Sequence, residues 1–464
     1  MENRQATLEL GTKPVGKLLA QYTLPAIIAM TASSLYNMVD SIFIGQAVGP
    51  MAISGLAITF PFMNLSGAFG AAIGIGASTS ISVKLGQKDY HVAENILGNT
   101  VTLTLIIGLA YTVICFALLD PILRFFGASD ATIPYARDFM EIILLGNVFT
   151  HMYLSMNAVL RAASKPKQAM YATIFTVVLN IVLDPFFIYD WGLGLGIRGG
   201  ALATVLAQMV ALVYQFHLLT NQREILHLKK GIYKLKGNLV KNIFAIGISP
   251  FSMNVCACVV VIFINNQLVG YGGDLAVGAY GIANRIAFIF VMFVMGLNQG
   301  MQPIAGYNYG AQRLDRVMRV LTLSILVATA IMTTGWLIAM FLPYPCARMF
   351  TTDEKLIKMA IHGIQVLMLM MPVVGFQMVT TNFFQCIGKV KISIFMSLSR
   401  QLLLLVPLLA ILPRIWGIDG VWASMPASDA ISALLAFIIM RHYMRKFKKL
   451  NKDMAYGREE ENHH

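Results

Sequence analysis

Three polar side chains, Asp40, Asn180 and Asp184, draw attention because they lie inside long apolar stretches. Between Lys17 and Lys84 the chain carries one side chain that is charged at neutral pH, the carboxylate of Asp40 in PAIIAMTASSLYNMVDSIFIG. Holding a carboxylate in such a run costs about 2.5–3.5 kcal/mol on insertion scales, so it marks a functional site by default. Asn180 and Asp184 in VLNIVLDP are spaced i,i+4 and fall on one face of a helix. Asp184 also precedes Pro185, where a helix must kink or end, freeing carbonyls that can join a polar pocket. Two carboxylates in one poorly solvated pocket cannot both stay ionised cheaply, and a bound proton or Na⁺ relieves that strain. The chemistry expected is therefore ion coupling in a membrane transporter. Tyr36, one helical turn before Asp40, is expected in the same network, and Pro25 is where the first helix would bend as occupancy changes.

The elements that must position these groups follow from composition. Hydrophobic residues make up 57% of the 464 and charged residues only 12%, against about 25% charged in soluble domains. The chain reads as an all-α polytopic membrane protein. Its net charge of +13 would suggest nucleic acid in a soluble protein, but here it is distributed over loops, and no nucleic-acid partner is expected. The five cysteines lack ligand or framework spacing, so neither a disulfide nor a cysteine metal site is expected. Twelve spans, each near the roughly 20 residues a bilayer needs, fall near 17–44, 52–83, 92–119, 136–160, 168–190, 198–220, 239–269, 275–308, 316–342, 358–386, 391–413 and 418–440. The first continues too far for a signal peptide and is expected to be retained. Basic loops alternate with loops poor in Lys and Arg, and the positive-inside rule puts both termini in the cytosol. The divisions expected are a tail over 1–16, an N-terminal lobe over 17–220, a basic linker over 221–238, a C-terminal lobe over 239–440, and a basic tail over 441–464.

The linker separates two copies of one unit. At a displacement of 224 or 225 residues Pro25 returns as Pro250, Gly45 as Gly270, Gly76 as Gly300, Gly86 as Gly310 and Lys165 as Lys389. Six spans per copy is an even number, so the lobes share an orientation and a pseudo-two-fold axis along the membrane normal is expected. The copies differ where the chemistry lies. Asp40 falls opposite Asn265, and Asn180 and Asp184 fall opposite Leu404 and Leu408.

At LYNMVDSIFIG, RAASKPKQAM, LNIVLDPFFIY, GIRGGALAT and QGMQPIAGYNYGA the chain resembles the multidrug and toxin extrusion (MATE) family, over nearly its whole length. That resemblance implies export of amphipathic, mostly cationic drugs or toxins in exchange for H⁺ or Na⁺, by rocking of the two lobes. It is to the DinF-type prokaryotic branch, whose ion site joins an acid on the first helix to an Asn/Asp pair on the fifth, here Asp40, Asn180 and Asp184. A sixth-helix hydroxyl is matched by Thr204, so these four would hold Na⁺ if that is the ion. The seventh span has no acid, which speaks against a NorM-type site. A bacterial inner membrane location follows from the resemblance.

Other polar residues have plainer readings. Arg285 and Arg400 lie in C-lobe spans, where Asp429 could neutralise one of them or they could share in the translocation path. His151, Glu141 and His362 could line a proton route, although Glu141 and His362 lie toward helix ends. Met156 and Met292 are among 28 methionines that could form an adaptable drug surface or simply pack. A flippase for lipid-linked oligosaccharides, the alternative within the same superfamily, would need several convergent cations for a pyrophosphate. Enzyme motifs such as HExxH and GxSxG are absent from the sequence, so catalysis is not expected. No cofactor beyond the coupling ion is expected, the bilayer is the surroundings, and a two-lobed transporter can work as a monomer without an obligatory protein partner.

Overall fold

A computed structural model describes the backbone of residues 2–461 and the side chains of 5–453; the end of the expected C-terminal tail, 462–464, lies outside the described residues. All regular structure among them is helical. An initial α1 (Glu2–Thr12) leads into α2 (Val15–Val48), α3 (Pro50–Gly86) and α4 (Tyr90–Ala117). The short α5 (Leu119–Phe125) precedes α6 (Ile133–Leu145), α7 (Asn147–Ala162), α8 (Pro166–Ile188) and α9 (Ile197–Leu219). The second half holds α10 (Gly237–Gly310), α11 (Leu314–Phe341), the short α12 (Pro343–Arg348), α13 (Glu354–Leu367) and α14 (Met371–Cys386). It ends with α15 (Val390–Leu398), a π-helical segment (Ser399–Leu405), α16 (Val406–Trp416) and α17 (Ile418–Glu461).

Nine of these stretches are each long and apolar enough to cross a bilayer, and the bent pairs α6/α7 and α13/α14 add two. As one rod, the 74 residues of α10 would measure roughly 110 Å at 1.5 Å per residue, far beyond a hydrocarbon core of about 30 Å. At Gly273 the backbone leaves the helix (φ 70°, ψ −169°), and division there brings the count to the expected twelve. Two ends differ from expectation. The tail after 440 continues α17, because it is rich in helix formers and because Tyr443 and Phe447 pack edge-on against Phe384 and Phe383. Likewise the polar N-terminus is helical, with Leu10 fully buried.

The duplication recurs in the backbone at the points where a left-handed conformation turns the chain. Gly49 and Gly273 both have φ above zero, as do Lys88 and Gln312, and Ser164 and Gly388; each pair is separated by 224 positions. Gly196 (φ 59°, ψ −132°) and Gly417 (φ 61°, ψ −133°) are matched as well. A side chain strains this region, so glycine at Gly49, Gly273, Gly196 and Gly417 sets the turns between consecutive spans. The fourth and tenth spans are both broken, by 58° beside Gly146 and by 51° before Met371.

The chain forms two compact units, Met1–Thr12 with Leu24–Asn254, and Lys13–Thr23 with Val255–His464. The first and seventh spans are therefore each shared between units. Within the first unit a Cβ at Gly76 would overlap the backbone of Ile243; within the second a Cβ at Gly300 would lie 2.7 Å from the backbone of Thr23. These close approaches occur at repeat-related glycines. The basic linker docks on α4, where Asn99 donates to the carbonyls of Ile232 (3.3 Å) and Lys234 (3.1 Å) and accepts from the Lys236 amide at 2.7 Å.

Candidate functional site

Within the first unit, α2, α8 and α9 bring four of the expected residues together. Asp184 is fully buried, Asn180 is 1% exposed, and Asp40 and Thr204 are each 6% exposed. The Asp40 and Asp184 carboxyl groups lie within hydrogen-bonding reach of one another. The Asn180 amide bridges the centre: its nitrogen donates to Asp184 Oδ2 at 2.8 Å, and its oxygen faces the Thr204 hydroxyl and amide nitrogen, both at 3.0 Å. Tyr36 adds a hydroxyl 2.9 Å from Thr204 Oγ1. Asp40 Oδ1 and Asp184 Oδ1 are buried and accept no hydrogen bond. A buried acceptor left that way loses its hydration without compensation, so the two oxygens form a place for a proton or a small hard cation, which prefers oxygen ligands. No cluster of three or more His, Cys, Asp or Glu suited to a transition metal occurs among the described residues.

Local sequence explains why these helices meet. Pro185 has no amide to donate, so the helix leaves the Ile181 carbonyl, one turn earlier, without its usual partner. As the span expected over 168–190 requires, α8 runs through Pro185 and continues one turn beyond Asp184 to Ile188, and its last carbonyls are taken up by the following loop. Leu193 donates to Phe186 O at 2.7 Å and Leu195 to Phe187 O at 2.9 Å. The loop then turns at Gly196 into α9. A Cβ at Gly199 would overlap the Phe187 carbonyl, whereas one at Gly200 would lie 3.0 Å from Ile44 Cδ1 and 3.3 Å from Asp40 Oδ1. The glycines of GIRGGALAT thus serve two approaches, α9 to α8 at Gly199 and α9 to the Asp40 carboxylate at Gly200.

Gly200 was missed in the reading of residue types, although its signal is in the repeat. In the second half Gly420 repeats the contact of Gly199, with a Cβ there overlapping the Leu412 carbonyl. The next residue is Val421 where the first half has Gly200. The small residue is kept only in the copy that carries the acid.

The other expected residues lie apart from this centre. Pro25 is buried within an α2 that passes through it as continuous helix. His151 is fully buried on α7 with Nε2 3.2 Å from Ser66 Oγ. Because Ser66 donates to Asn147 Oδ1 at 2.6 Å, the imidazole proton belongs on Nε2 and Nδ1 is left without a partner. Tyr111 packs beside that ring at 5.7 Å. Met156 and Met292 are buried packing residues in different units. Arg400 Nε donates to Asp429 Oδ1 at 2.8 Å, so the expected neutralisation is present. It sits at the π-helical segment, where Ser428 Oγ takes up the Arg400 carbonyl at 2.6 Å. Arg285 is exposed. Glu141 lies 3.7 Å from Arg198, and His362 lies 3.5 Å from Asp419 with half its side chain exposed.

Comparison with known proteins agrees with this architecture. The chain is similar to the multidrug export protein MepA of Staphylococcus haemolyticus, with 28% identity over 426 residues, covering 91% of this chain and 93% of that one. A crystal structure of MATE in the bent conformation superposes with a TM-score of 0.90 at 24% identity, over 96% of this chain and 98% of that one. A transporter of the MOP superfamily from Pyrococcus furiosus, described as having a binding pocket of reverse polarity that suggests a different function, superposes at 0.88 with 25% identity, over 95% and 98%. The MatE family model matches twice, over residues 25–186 and 250–411. The two matches are displaced by the same 225 residues that relate Pro25 to Pro250, and with twelve spans in two repeated halves the chain belongs to the MatE family of multi-pass membrane transporters.

Proposed function

We propose that this protein is a secondary multidrug antiporter, exporting amphipathic, mostly cationic compounds from a bacterial cell across the inner membrane in exchange for H⁺ or Na⁺. The observation that carries the reading is the buried pairing of Asp40 with Asp184, each with a carboxylate oxygen that accepts no hydrogen bond. Two unit negative charges about 4 Å apart repel by roughly 4 kcal/mol at an effective dielectric of about 20. A proton shared between them removes that repulsion, as does a Na⁺ held by Asp40, Asp184, Asn180 and Thr204. Occupancy therefore changes the preferred spacing of α2 against α8 and α9. A ligand shifts a conformational equilibrium only by its difference in affinity for the two states, and a pair of carboxylates that separates when empty supplies such a difference. The first span, bending at Pro25, would pass that change to the drug cavity, and the two halves would alternate access as one chain with cytoplasmic termini.

The multidrug assignment draws on the relatives named MepA and on the sign of this centre, which favours cationic cargo. A flippase for lipid-linked oligosaccharides gains nothing here, since Arg400 is already neutralised by Asp429. The test is transport in vesicles reconstituted with the purified protein, using a fluorescent lipophilic cation and an imposed pH or sodium gradient. Wild-type uptake should follow one gradient and vanish in Asp40→Asn. Gradient-driven uptake that persists undiminished in that variant overturns the proposal.

A further inference from the structure

A second ligand-sized feature lies in the first unit, on the basic side of the spans and away from the carboxylate centre. It is a cavity of about 540 Å³ where the end of α3, the start of α4 and the start of α10 meet. Its polar wall is cationic and amide-bearing: Lys84, Lys236 and Lys241 converge with Asn95, Asn238 and Asn242, and no acid lines it. Asp89, 3.8 Å from Lys84 Nζ, is the nearby carboxylate, and Glu94, next to Asn95, is engaged by Lys229 and His227. Among the described residues no acid pairs with Lys236 or Lys241, so two positive charges are left uncompensated there. The N-terminus of α10 opens beside the cavity and adds the positive end of a helix dipole.

The α10 wall is one helical face, because 238, 241, 242 and 245 follow the i, i+3, i+4, i+7 pattern. Below the lysines that stripe becomes apolar. Ala245 lines the cavity, and Ile248 in the next turn is 48% exposed, with Phe244 beside it 45% exposed. Cations and amides above an exposed apolar strip match a phosphate headgroup joined to acyl chains. A free phosphate would have no use for the strip.

We propose that this cavity binds the headgroup of an anionic phospholipid, with the phosphodiester held by Lys84, Lys236 and Lys241 and an acyl chain lying along Ala245 and Ile248. Basic pockets between spans on the cytoplasmic side suit such headgroups, and each Lys near the surface contributes on the order of 1 kcal/mol, which is about fivefold in affinity. The purified full-length protein, titrated with short-chain phosphatidylglycerol and read by thermal shift and native mass spectrometry, should bind more tightly than with the matching phosphatidylcholine. Lys84→Ala/Lys236→Ala/Lys241→Ala should lose on the order of a hundredfold of that preference. Lys446→Ala/Lys448→Ala/Lys449→Ala, which removes equal charge from the C-terminal end of α17, should retain it. Inorganic phosphate should neither stabilise the protein nor displace the lipid. Equal loss in both triple variants would reduce the effect to general charge and overturn the site, as would unchanged lipid preference in the cavity variant. Equal protection by inorganic phosphate would overturn the lipid as its occupant.

Discussion

Gly200→Ala and Gly200→Val separate the stability of the helical frame from the working of the carboxylate pair. In the alanine variant the added methyl lies 3.0 Å from Ile44 Cδ1 and 3.3 Å from Asp40 Oδ1. The Ile44 contact is the tip of a flexible side chain, and turning it aside costs about 0.5–1.5 kcal/mol. Alanine in a helix interior recovers about 0.8–1.0 kcal/mol relative to glycine, so the two effects nearly cancel and melting should shift by no more than a few degrees. Asp40 has less freedom, because it is wedged between α9 and Asp184. Its carboxylate must move by a few tenths of an ångström relative to Asp184, and since displacements near 1 Å cost about a hundredfold in positioned chemistry, ion-driven uptake should fall roughly three- to tenfold. Valine, which Val421 supplies at the matching position of the second half, adds two further carbons. It should cost about 1–3 kcal/mol through overpacking and abolish coupled uptake. Thermal unfolding by scanning fluorimetry and initial rates in reconstituted vesicles would be measured on the same preparations. A folded valine variant transporting at the wild-type rate would refute the view that the approach of α9 to Asp40 matters for coupling.

Asp184→Asn should leave the fold intact and eliminate ion-driven uptake, measured as protons or sodium ions moved per drug molecule, because one carboxylate cannot generate the repulsion of two. Tyr36→Phe removes only the outer hydroxyl next to Thr204, so it should cost about 0.5–1.5 kcal/mol and slow uptake less than Thr204→Val does in the same assay. Asp429→Asn leaves the partly buried Arg400 without its carboxylate. With Arg400 29% exposed, the loss should fall to about 1–3 kcal/mol, below the 3–5 of a fully buried pair, and appear as a lower melting temperature with ion stoichiometry unchanged. Gly76→Ala and Gly300→Ala should each destabilise by about 1–3 kcal/mol, whereas Gly281→Ala, with no neighbour within 4 Å of its Cβ, should be neutral or slightly stabilising in the same melt.

Much of the fold was legible because lipid imposes length and polarity on every span. A run near Val15–Val48 can hardly be anything but a crossing helix, and the twelve runs located from hydropathy match the helices at almost every end. Asp40, Asn180 and Asp184 were legible for the same reason, since polarity is costly where they sit. Interactions between surfaces were harder to read. That Tyr443 and Phe447 would carry α17 onward depends on their packing against Phe384 and Phe383, which no local pattern encodes. How the end of the fifth span is satisfied after Pro185 depends on a loop that returns to the carbonyls of Phe186 and Phe187. Gly200 looks like ordinary helix glycine until Asp40 is placed beside it.

The two halves show which features a duplicated bundle keeps and which it lets diverge. The turns at Gly49 and Gly273, and at Gly196 and Gly417, share their left-handed geometry, and Gly199 and Gly420 share their approach to the preceding helix. Those positions govern how spans follow and pack, so a change in either copy would damage the frame. Around the carboxylates the correspondence ends: Asp40, Asn180, Asp184, Gly200 and Thr204 face Asn265, Leu404, Leu408, Val421 and Met425. The second copy lacks both acids and, together with them, the small residue that admits Asp40, the amide that donates to Asp184 and the hydroxyl beside that amide. A structural role for a lone buried acid would not require this coordinated set, because one apolar substitution in the first half would serve packing as well. The grouping is what the proposed ion site would demand, since its oxygens would bind only as a unit and partial retention leaves buried polar atoms uncompensated.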